Sequence, residues 1–283
     1  MNEILEKVSL APEVTKYIVS APKIARKRRA GQFVLVRLHE GGERIPLTIA
    51  DADADRGTIT LVVQEVGKTT AEMNLMRTGQ RLANVVGPLG LPTNVERVGT
   101  VVCVGGGIGI APLHPVAQAM KAAGNRVIII LGARSRDLLI MEEEMARISD
   151  ELRICTDDGS KGSKGFVSQV LQELIDNGES IDQVVTIGPA IMMKVVSEVT
   201  RPHGIKTMVS LNSVMVDGTG MCGGCRVEID GEPKFACVDG PDFDGHGVNF
   251  DLLMRRQAMY KTQEKQAMDR FLAEHECELE KVP

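Results

Sequence analysis

Three cysteines and one aspartate near the C-terminus are the residues of this chain best suited to holding a metal centre. The stretch Asp217-Gly-Thr-Gly-Met-Cys222-Gly-Gly-Cys225 is followed, after eleven residues, by Cys237. Glycines and a threonine around thiols make poor core material and a good loop for wrapping a metal. The spacing matches the plant-type iron–sulfur pattern C-x4-C-x2-C…C, with Asp217 in the first position and Cys222, Cys225 and Cys237 in the others. A zinc site built from Cys222, Cys225, Cys237 and His246 uses the same thiols, and this stretch alone leaves it open.

A second run with chemistry in it is Arg44-Ile-Pro-Leu-Thr48. On an extended strand Arg44 and Thr48 project from one face, roughly 13 Å apart at about 3.3 Å per residue. A guanidinium could then meet a pyrophosphate while a hydroxyl reaches a flavin ring edge; an edge strand with an exposed arginine is the plainer alternative. Val66-Gly67-Lys68-Thr69-Thr70 is a glycine turn into a helix, where backbone N–H groups can hold a phosphate. It is not a Walker A loop, because the upstream glycine is missing.

The third group is the loop Gly105-Gly-Gly-Ile-Gly-Ile-Ala-Pro112 after the apolar run Thr100–Val104. It departs from G-x-G-x-x-G, because the third position falls on Ile110 or Pro112, and no acidic residue closes the second strand. A strand before it and a helix after it still make it a phosphate site. Gly188-Pro-Ala-Ile-Met-Met193 repeats the strand-to-helix arrangement. Arg134 and Arg136, after the second strand, could meet a 2′-phosphate or cap surface turns, which leaves NADH against NADPH open.

These groups need three kinds of scaffold. Up to about Val95, short alternating runs broken by glycine and acidic turns (Gln32–Arg37, Ile45–Ile49, Thr58–Val63) predict a small antiparallel barrel with one helix over Thr69–Met76. Gly87–Pro92 reads as a closing turn. Strands at Thr100–Val104, Val127–Leu131, Leu152–Thr156 and Gln183–Ile187 alternate with helices, which predicts a parallel sheet covered on both faces. The expected division is 1–97, 98–210, 211–250 and 251–283, the last a single charged amphipathic helix that packs on its own domain or docks on a partner.

At 283 residues the chain exceeds one small core, and its net charge of -5 gives no basic excess for nucleic acid. The basic run Ala25–Arg29 reads as a solvated loop. No apolar run reaches the roughly 18 residues of a membrane span, and the first residues form no signal-like core. A cytoplasmic setting follows, in which clustered cysteines point to metal or redox chemistry. Cys103 and Cys155, in apolar strands, read as buried small hydrophobes.

Barrel, Arg-x-Pro-x-Thr strand, GGGIGIAP loop, GP-x-x-M turn and cysteine loop, in this order, resemble the ferredoxin–NADP reductase superfamily. Within it the chain is most similar to the electron-transfer subunits of dihydroorotate dehydrogenase and to the small subunits of NADH-dependent reduced ferredoxin:NADP oxidoreductases, also described as sulfide dehydrogenase subunits. The resemblance implies FAD on Arg44, Pro46, Leu47, Thr48 and Gln64, with Thr48 nearest the reacting ring and Gly67, Lys68, Thr69 and Thr70 on the pyrophosphate. The arginine stands four residues before the threonine, where the superfamily usually has three. The resemblance further implies NAD(H), or NADP(H), on Gly106, Gly107, Gly109, Pro112, Ala133, Arg134, Asp157, Gly188, Pro189 and Met192. It implies a [2Fe–2S] cluster on Asp217, Cys222, Cys225 and Cys237. Dihydroorotate-type subunits carry four cysteines there, whereas the bifurcating reductases carry aspartate first, as here. The implied partner is a larger subunit with a second FAD and [4Fe–4S] clusters, through which ferredoxin is served in a heterodimer. A nucleotide-binding protein with structural zinc and no turnover is the alternative of another class.

Overall fold

The computed structural model describes residues 1–279, with side chains through Glu274. Its first unit is an antiparallel sheet of β1 (Ile4–Ala11), β2 (Val14–Ser20), β3 (Phe33–Arg37), β4 (Arg44–Asp53), β5 (Thr58–Gln64) and β6 (Asn84–Leu89), in the order β1-β2-β5-β4-β3-β6. Helix α1 (Pro22–Ala25) follows β2, and α2 (Lys68–Leu75) joins β5 to β6. The two ends of the sheet meet where Glu3 bridges Arg81 and the Ile4 N–H donates to Gln80 O at 2.9 Å, which closes a barrel. Val34, Val36, Ile49, Ile59 and Leu61 fill it, with Ile45 and Leu47 packed against them.

Residues on alternate positions of β3 and β4 face outward. Phe33 pairs with Thr48, Leu35 with Pro46 and Arg37 with Arg44, so these six share one outer face. Phe33 and Leu35 are nevertheless only 3% exposed. Something else must cover that face.

The second unit is built from β7 (Thr100–Gly106), α3 (Ile110–Ala122), β8 (Arg126–Ala133), α4 (Glu142–Ile148), β9 (Glu151–Thr156), β10 (Ser163–Lys164), α5 (Val167–Asp176), β11 (Gln183–Ile187), α6 (Ala190–Thr200) and β12 (Lys206–Ser210). The last unit adds the hairpin β13 (Arg226–Ile229) and β14 (Glu232–Phe235), then β15 (Asp242–Asp244), α7 (Phe250–Gln257) and α8 (Lys261–Leu279). The large sheet runs β10-β9-β8-β7-β11-β12-β15, parallel except for β15. The strand order turns back between β7 and β11, which opens a crevice at their carboxyl ends. β15 belongs to the cysteine-rich unit by sequence but pairs with β12, so the two units share one sheet.

The answer to the covered face is a core common to all three units. It joins Phe33 and Leu35 of the barrel to Met193 of α6, Val209 of β12, and Cys225, Val227, Cys237, Phe243 and Leu253 beyond.

Three expectations change. Gly87-Pro88 lies inside β6, which continues to Leu89, and the turn comes at Gly90. β6 is an edge strand whose pairing with β3 slips between Phe33 and Leu35, and such a place tolerates a proline that donates nothing. The basic run is only partly solvated: Ala25 closes α1, and Arg28 pairs with Asp51 at 2.9 Å. The C-terminal segment is two helices, not one. Leu253 (2% exposed) pins α7 in the shared core, while Phe271 (6% exposed) seats α8 beside Leu38, Leu75 and Met76 of the barrel. The chain must turn between those anchors, and it does so at Ala258–Tyr260. Among the described residues no helix is long and apolar enough to cross a membrane.

Asp242 sits where the three units meet and carries a testable pH dependence. Its Oδ2 accepts from the Thr93 hydroxyl at 2.5 Å, while Oδ1 is buried without a partner. Burial pushes its pKa up, and the Thr93 and Ser210 hydroxyls offset only part of that. For an acid with a raised folded-state pKa, the folded form prefers the proton. Its stabilising contribution is therefore full below the unfolded pKa of about 3.9 and is lost as pH rises through the folded pKa. Asp242→Asn is expected to stabilise the protein by about 1 kcal/mol at pH 8, with the gain shrinking toward pH 4. Thermal melts across that range check it.

Candidate functional site

β4 is the line on which the three groups of residues converge. At its middle, the outer face carrying Pro46 and Thr48 continues through Leu35 to the cysteine loop. A Cβ on Gly218 would lie 2.9 Å from both Leu35 Cδ1 and Leu89 Cδ1, so Asp217-Gly218 lies directly against this face. Past Ile49 the pairing with β5 slips, and Ala50 turns to the second unit, where His114 Nδ1 of α3 lies 3.3 Å from Ala50 O. α3 is the helix that follows the glycine loop. The adjacent strands β3 and β4 thus border the cysteine loop and the helix after the nucleotide turn, respectively.

Along β4, Arg44 is exposed, and Pro46, Leu47 and Thr48 are half-buried. Leu47 points into the barrel core, so only its main chain is available outside. Gln64 ends β5, half-buried, one turn before α2. Gly67 caps α2 with extended backbone, and a Cβ there would meet nothing within 4 Å. That open space in front of unpaired helical N–H groups fits a phosphate. The side chains nearby are partly engaged: Thr69 Oγ1 donates to Glu43 Oε2 at 2.6 Å, Thr70 Oγ1 accepts from Gly67 N–H at 3.1 Å, and Lys68 pairs with Glu72 at 3.5 Å. The main chain is therefore the principal donor set at this turn.

The two glycine turns after β7 and β11 interlock. A Cβ on Gly109 would lie 2.3 Å from Ile187 O and 2.6 Å from Gly188 Cα, and one on Gly106 would lie 2.3 Å from Met192 Sδ. Backbone contact requires glycine at Gly109, whereas a side chain at Gly106 would have to displace the flexible Met192. Gly107 differs: its φ is +55 and a Cβ would meet nothing within 4 Å, so it borders open space at the crevice. Pro112 stands in the first turn of α3, and Pro189 precedes α6. Farther along the same edge, the Asp157 N–H donates to Ala133 O at 3.1 Å, which places Ala133, Arg134 and Asp157 together, with Arg134 and Asp157 exposed.

In the cysteine loop, Cys225 and Cys237 are buried and adjacent, and Cys222 is exposed. The Gly224 N–H donates to Cys222 Sγ and the Cys237 N–H to Cys225 Sγ, each at 3.4 Å. Burial and the neighbouring Cys225 thiol push the Cys237 thiol up to about 12, so without a cation Cys237 stays protonated. Asp217 accepts the Thr219 N–H at 2.8 Å and the Cys222 N–H at 2.7 Å, which hold its carboxyl below the usual range. Among the described residues no three His, Cys, Asp or Glu side chains converge as a formed metal nest. The donor set, three thiols, two of them with amide N–H groups on their sulfurs, and one carboxylate in the same loop, is nonetheless suited to iron. His246 lies elsewhere, its Nε2 3.0 Å from Thr200 Oγ1, so the zinc set is not assembled. Cys103 and Cys155, pushed by burial to about 12 and about 11, remain structural thiols, and the Cys277 side chain lies outside the described ones.

Two residues escape motif reading. Arg256 of α7 donates to Gly224 O at 3.1 Å, and Leu35 carries the cysteine loop against the barrel. Neither belongs to a spacing pattern, and only the outward position of Leu35 on an otherwise regular strand hints at its role.

Comparison with known proteins fits this geometry. Residues 212–249 match the iron–sulfur cluster binding domain of dihydroorotate dehydrogenase B, and residues 103–198 match an oxidoreductase NAD-binding domain. A Thermotoga maritima protein, a homologue of the dihydroorotate dehydrogenase B (NAD(+)) electron transfer subunit, is 49% identical over 96% of both chains. The probable electron transfer subunit of Methanocaldococcus jannaschii is 38% identical over 88% of this chain and 90% of its own. A chain from the solved NADH-dependent reduced ferredoxin-NADP oxidoreductase is 48% identical, with a TM-score of 0.92 over 96% of this chain and 98% of that one. A ferredoxin NADP+ reductase from Neisseria gonorrhoeae with bound FAD and NADP, 18% identical with a TM-score of 0.59 over 71% of this chain and 90% of its own, shares the fold.

Proposed function

Because the chain belongs to the family of dihydroorotate dehydrogenase B electron transfer subunits and their homologues, we propose that it is the NAD(H)-linked subunit of a flavin-based electron-bifurcating ferredoxin:NADP oxidoreductase. The observation that carries the relay is the seating of the cysteine loop on the face that presents Pro46 and Thr48. Bound FAD would exchange a hydride with the nicotinamide and pass single electrons to a [2Fe–2S] cluster, the chemistry being the cofactors' own.

The chain's work is to bind and orient. Thr48, half-buried on the outer face, offers a hydroxyl to the flavin ring edge, and Pro46 and the Leu47 main chain support the ring. Arg44, Gln64 and the α2 turn Gly67–Thr70 hold the rest of FAD. Gly106, Gly107, Gly109 and Pro112 bring main chain close to the nicotinamide nucleotide, Gly188, Pro189 and Met192 close the crevice, and Ala133, Arg134 and Asp157 line its outer end, where NADP(H) is the alternative occupant. Asp217, Cys222, Cys225 and Cys237 hold the cluster. The likeness to a chain of that oxidoreductase supports a larger partner subunit with a second FAD and [4Fe–4S] clusters, through which ferredoxin is served. Buried free thiols support a cytoplasmic setting.

The test is to co-produce the chain with the larger subunit and measure NADP reduction. NADPH formation that requires NADH and reduced ferredoxin together supports the proposal. The curated relatives named as dihydroorotate dehydrogenase subunits favour a second reading, in which dihydroorotate oxidation reduces NAD, and that activity in the complex would select it instead. Asp217→Cys is expected to retain the cluster while changing its electron paramagnetic resonance spectrum and potential. An unchanged spectrum at unchanged iron content would remove Asp217 from the ligand set.

A further inference from the structure

The cysteine loop is gripped from outside by a cation. α7 is fixed by Phe250 and Leu253, 5% and 2% exposed, and by Asn249, whose Oδ1 accepts the Leu252 N–H at 3.0 Å. From this anchored helix Arg256 Nη2 donates to Gly224 O at 3.1 Å. Gly224 adjoins Cys225, and its own N–H donates to Cys222 Sγ. The guanidinium is therefore one peptide group from two of the cluster's expected thiolates.

Among the described residues no carboxylate pairs with that charge. Asp251, the acid on the same helix, pairs with Lys194 at 2.9 Å. The cavity of about 180 Å³ that Arg256 borders is lined also by Ser213, Val216, Arg226 and Tyr260, and by no carboxylate. A second arginine there adds positive charge.

We propose that Arg256 is a positioning residue for the cluster. It holds the Cys222–Cys225 turn through the Gly224 carbonyl, and its charge raises the cluster's reduction potential. One-electron reduction adds one negative charge within the loop, and a neighbouring cation favours the form that carries it. The driving force for electron exchange between flavin and partner is set in part from α7, outside the ligand sequence. The inference rests on the assignment of the cysteine loop to a [2Fe–2S] cluster.

The test uses the whole chain co-produced with its larger subunit, comparing wild type with Arg256→Gln, Arg256→Lys and Arg255→Gln. Iron and labile sulfide are measured first, then the midpoint potential by redox titration followed by paramagnetic resonance. Wild type without a cluster defeats the site assignment itself. With a cluster present, Arg256→Gln is expected to lower the equilibrium constant for reduction about tenfold, a shift of about 59 mV for one electron. Arg256→Lys, which keeps charge and donor, should stay near wild type. Arg255→Gln should do the same, since Arg255 is exposed and, among the described residues, bonds its own helix at Asp251 O. An unchanged potential in Arg256→Gln overturns the proposal. If Arg256→Gln loses its iron, Arg256→Lys decides: full iron at the wild-type potential supports the proposal, and loss of iron or a potential lower by about 59 mV overturns it.

Discussion

Replacing Cys237 by alanine is expected to leave a chain that binds FAD and is reduced by NADH, yet no longer passes electrons to its partner. Cys237 is 2% exposed and pairs with Cys225 in the core shared by all three units. Losing a partner of a metal's ligand commonly lowers metal affinity about 10- to 100-fold, so loss of a ligand itself should exceed about a hundredfold. The flavin strand and the nucleotide turns do not depend on the thiol. NADH-driven reduction of a small artificial acceptor should therefore stay within about twofold of wild type, while transfer to the partner falls by at least about a hundredfold. Steady-state assays with the two acceptors, beside iron analysis, give both numbers. Equal losses in both would mean that the cysteine supports the fold and not the relay.

Gly109→Val should have an effect of comparable size by another route. Its first side-chain carbon would lie 2.3 Å from Ile187 O, and neither backbone can yield without parting the turns after β7 and β11. Overpacking of this kind costs about 3 kcal/mol and deforms the crevice, so NADH affinity should drop by more than about tenfold together with stability. Gly107→Asn separates the two effects. Asparagine tolerates the left-handed backbone at φ +55, and its Cβ meets nothing within 4 Å. Stability should change by less than about 1 kcal/mol, while a side chain in the space meant for a nucleotide should still lower affinity about tenfold. Calorimetric NADH titration and thermal melts on both variants check this. Unchanged affinity in Gly107→Asn would move the nucleotide away from that turn.

These results depend on features that differ in how plainly they are written in the chain. The glycine turns are legible because their geometry is local: a strand, glycines that admit close backbone approach, and a helix follow one another within a dozen residues. The cysteine loop is legible for the same reason, since ligand spacing is a property of one segment. What is not legible is the packing that joins the segments. Phe33 and Leu35 look like ordinary strand residues, and only the assembled barrel shows them facing out beneath the loop at Gly218. β15 pairs with β12 across a boundary that composition would place near residue 210. The break between α7 and α8 answers to two distant anchors, Leu253 and Phe271, and no capping residue announces it. Arg256 escapes because a side chain reaching a loop carbonyl 32 residues away leaves no periodic trace.

The convergence at β4 explains why one chain can couple two-electron and one-electron carriers. The same strand presents Thr48 outward, touches α3 through Ala50 and rests on the cysteine loop through its neighbour Leu35. The shared core of Phe33, Leu35, Cys225 and Cys237 ties the barrel to the cysteine loop.

Iron, labile sulfide and flavin should be quantified on the anaerobically purified protein, with paramagnetic resonance recorded after dithionite reduction. The relay predicts one FAD and one [2Fe–2S] cluster per chain and a reduced-cluster signal. A colourless protein carrying stoichiometric zinc, with no paramagnetic signal, would contradict it.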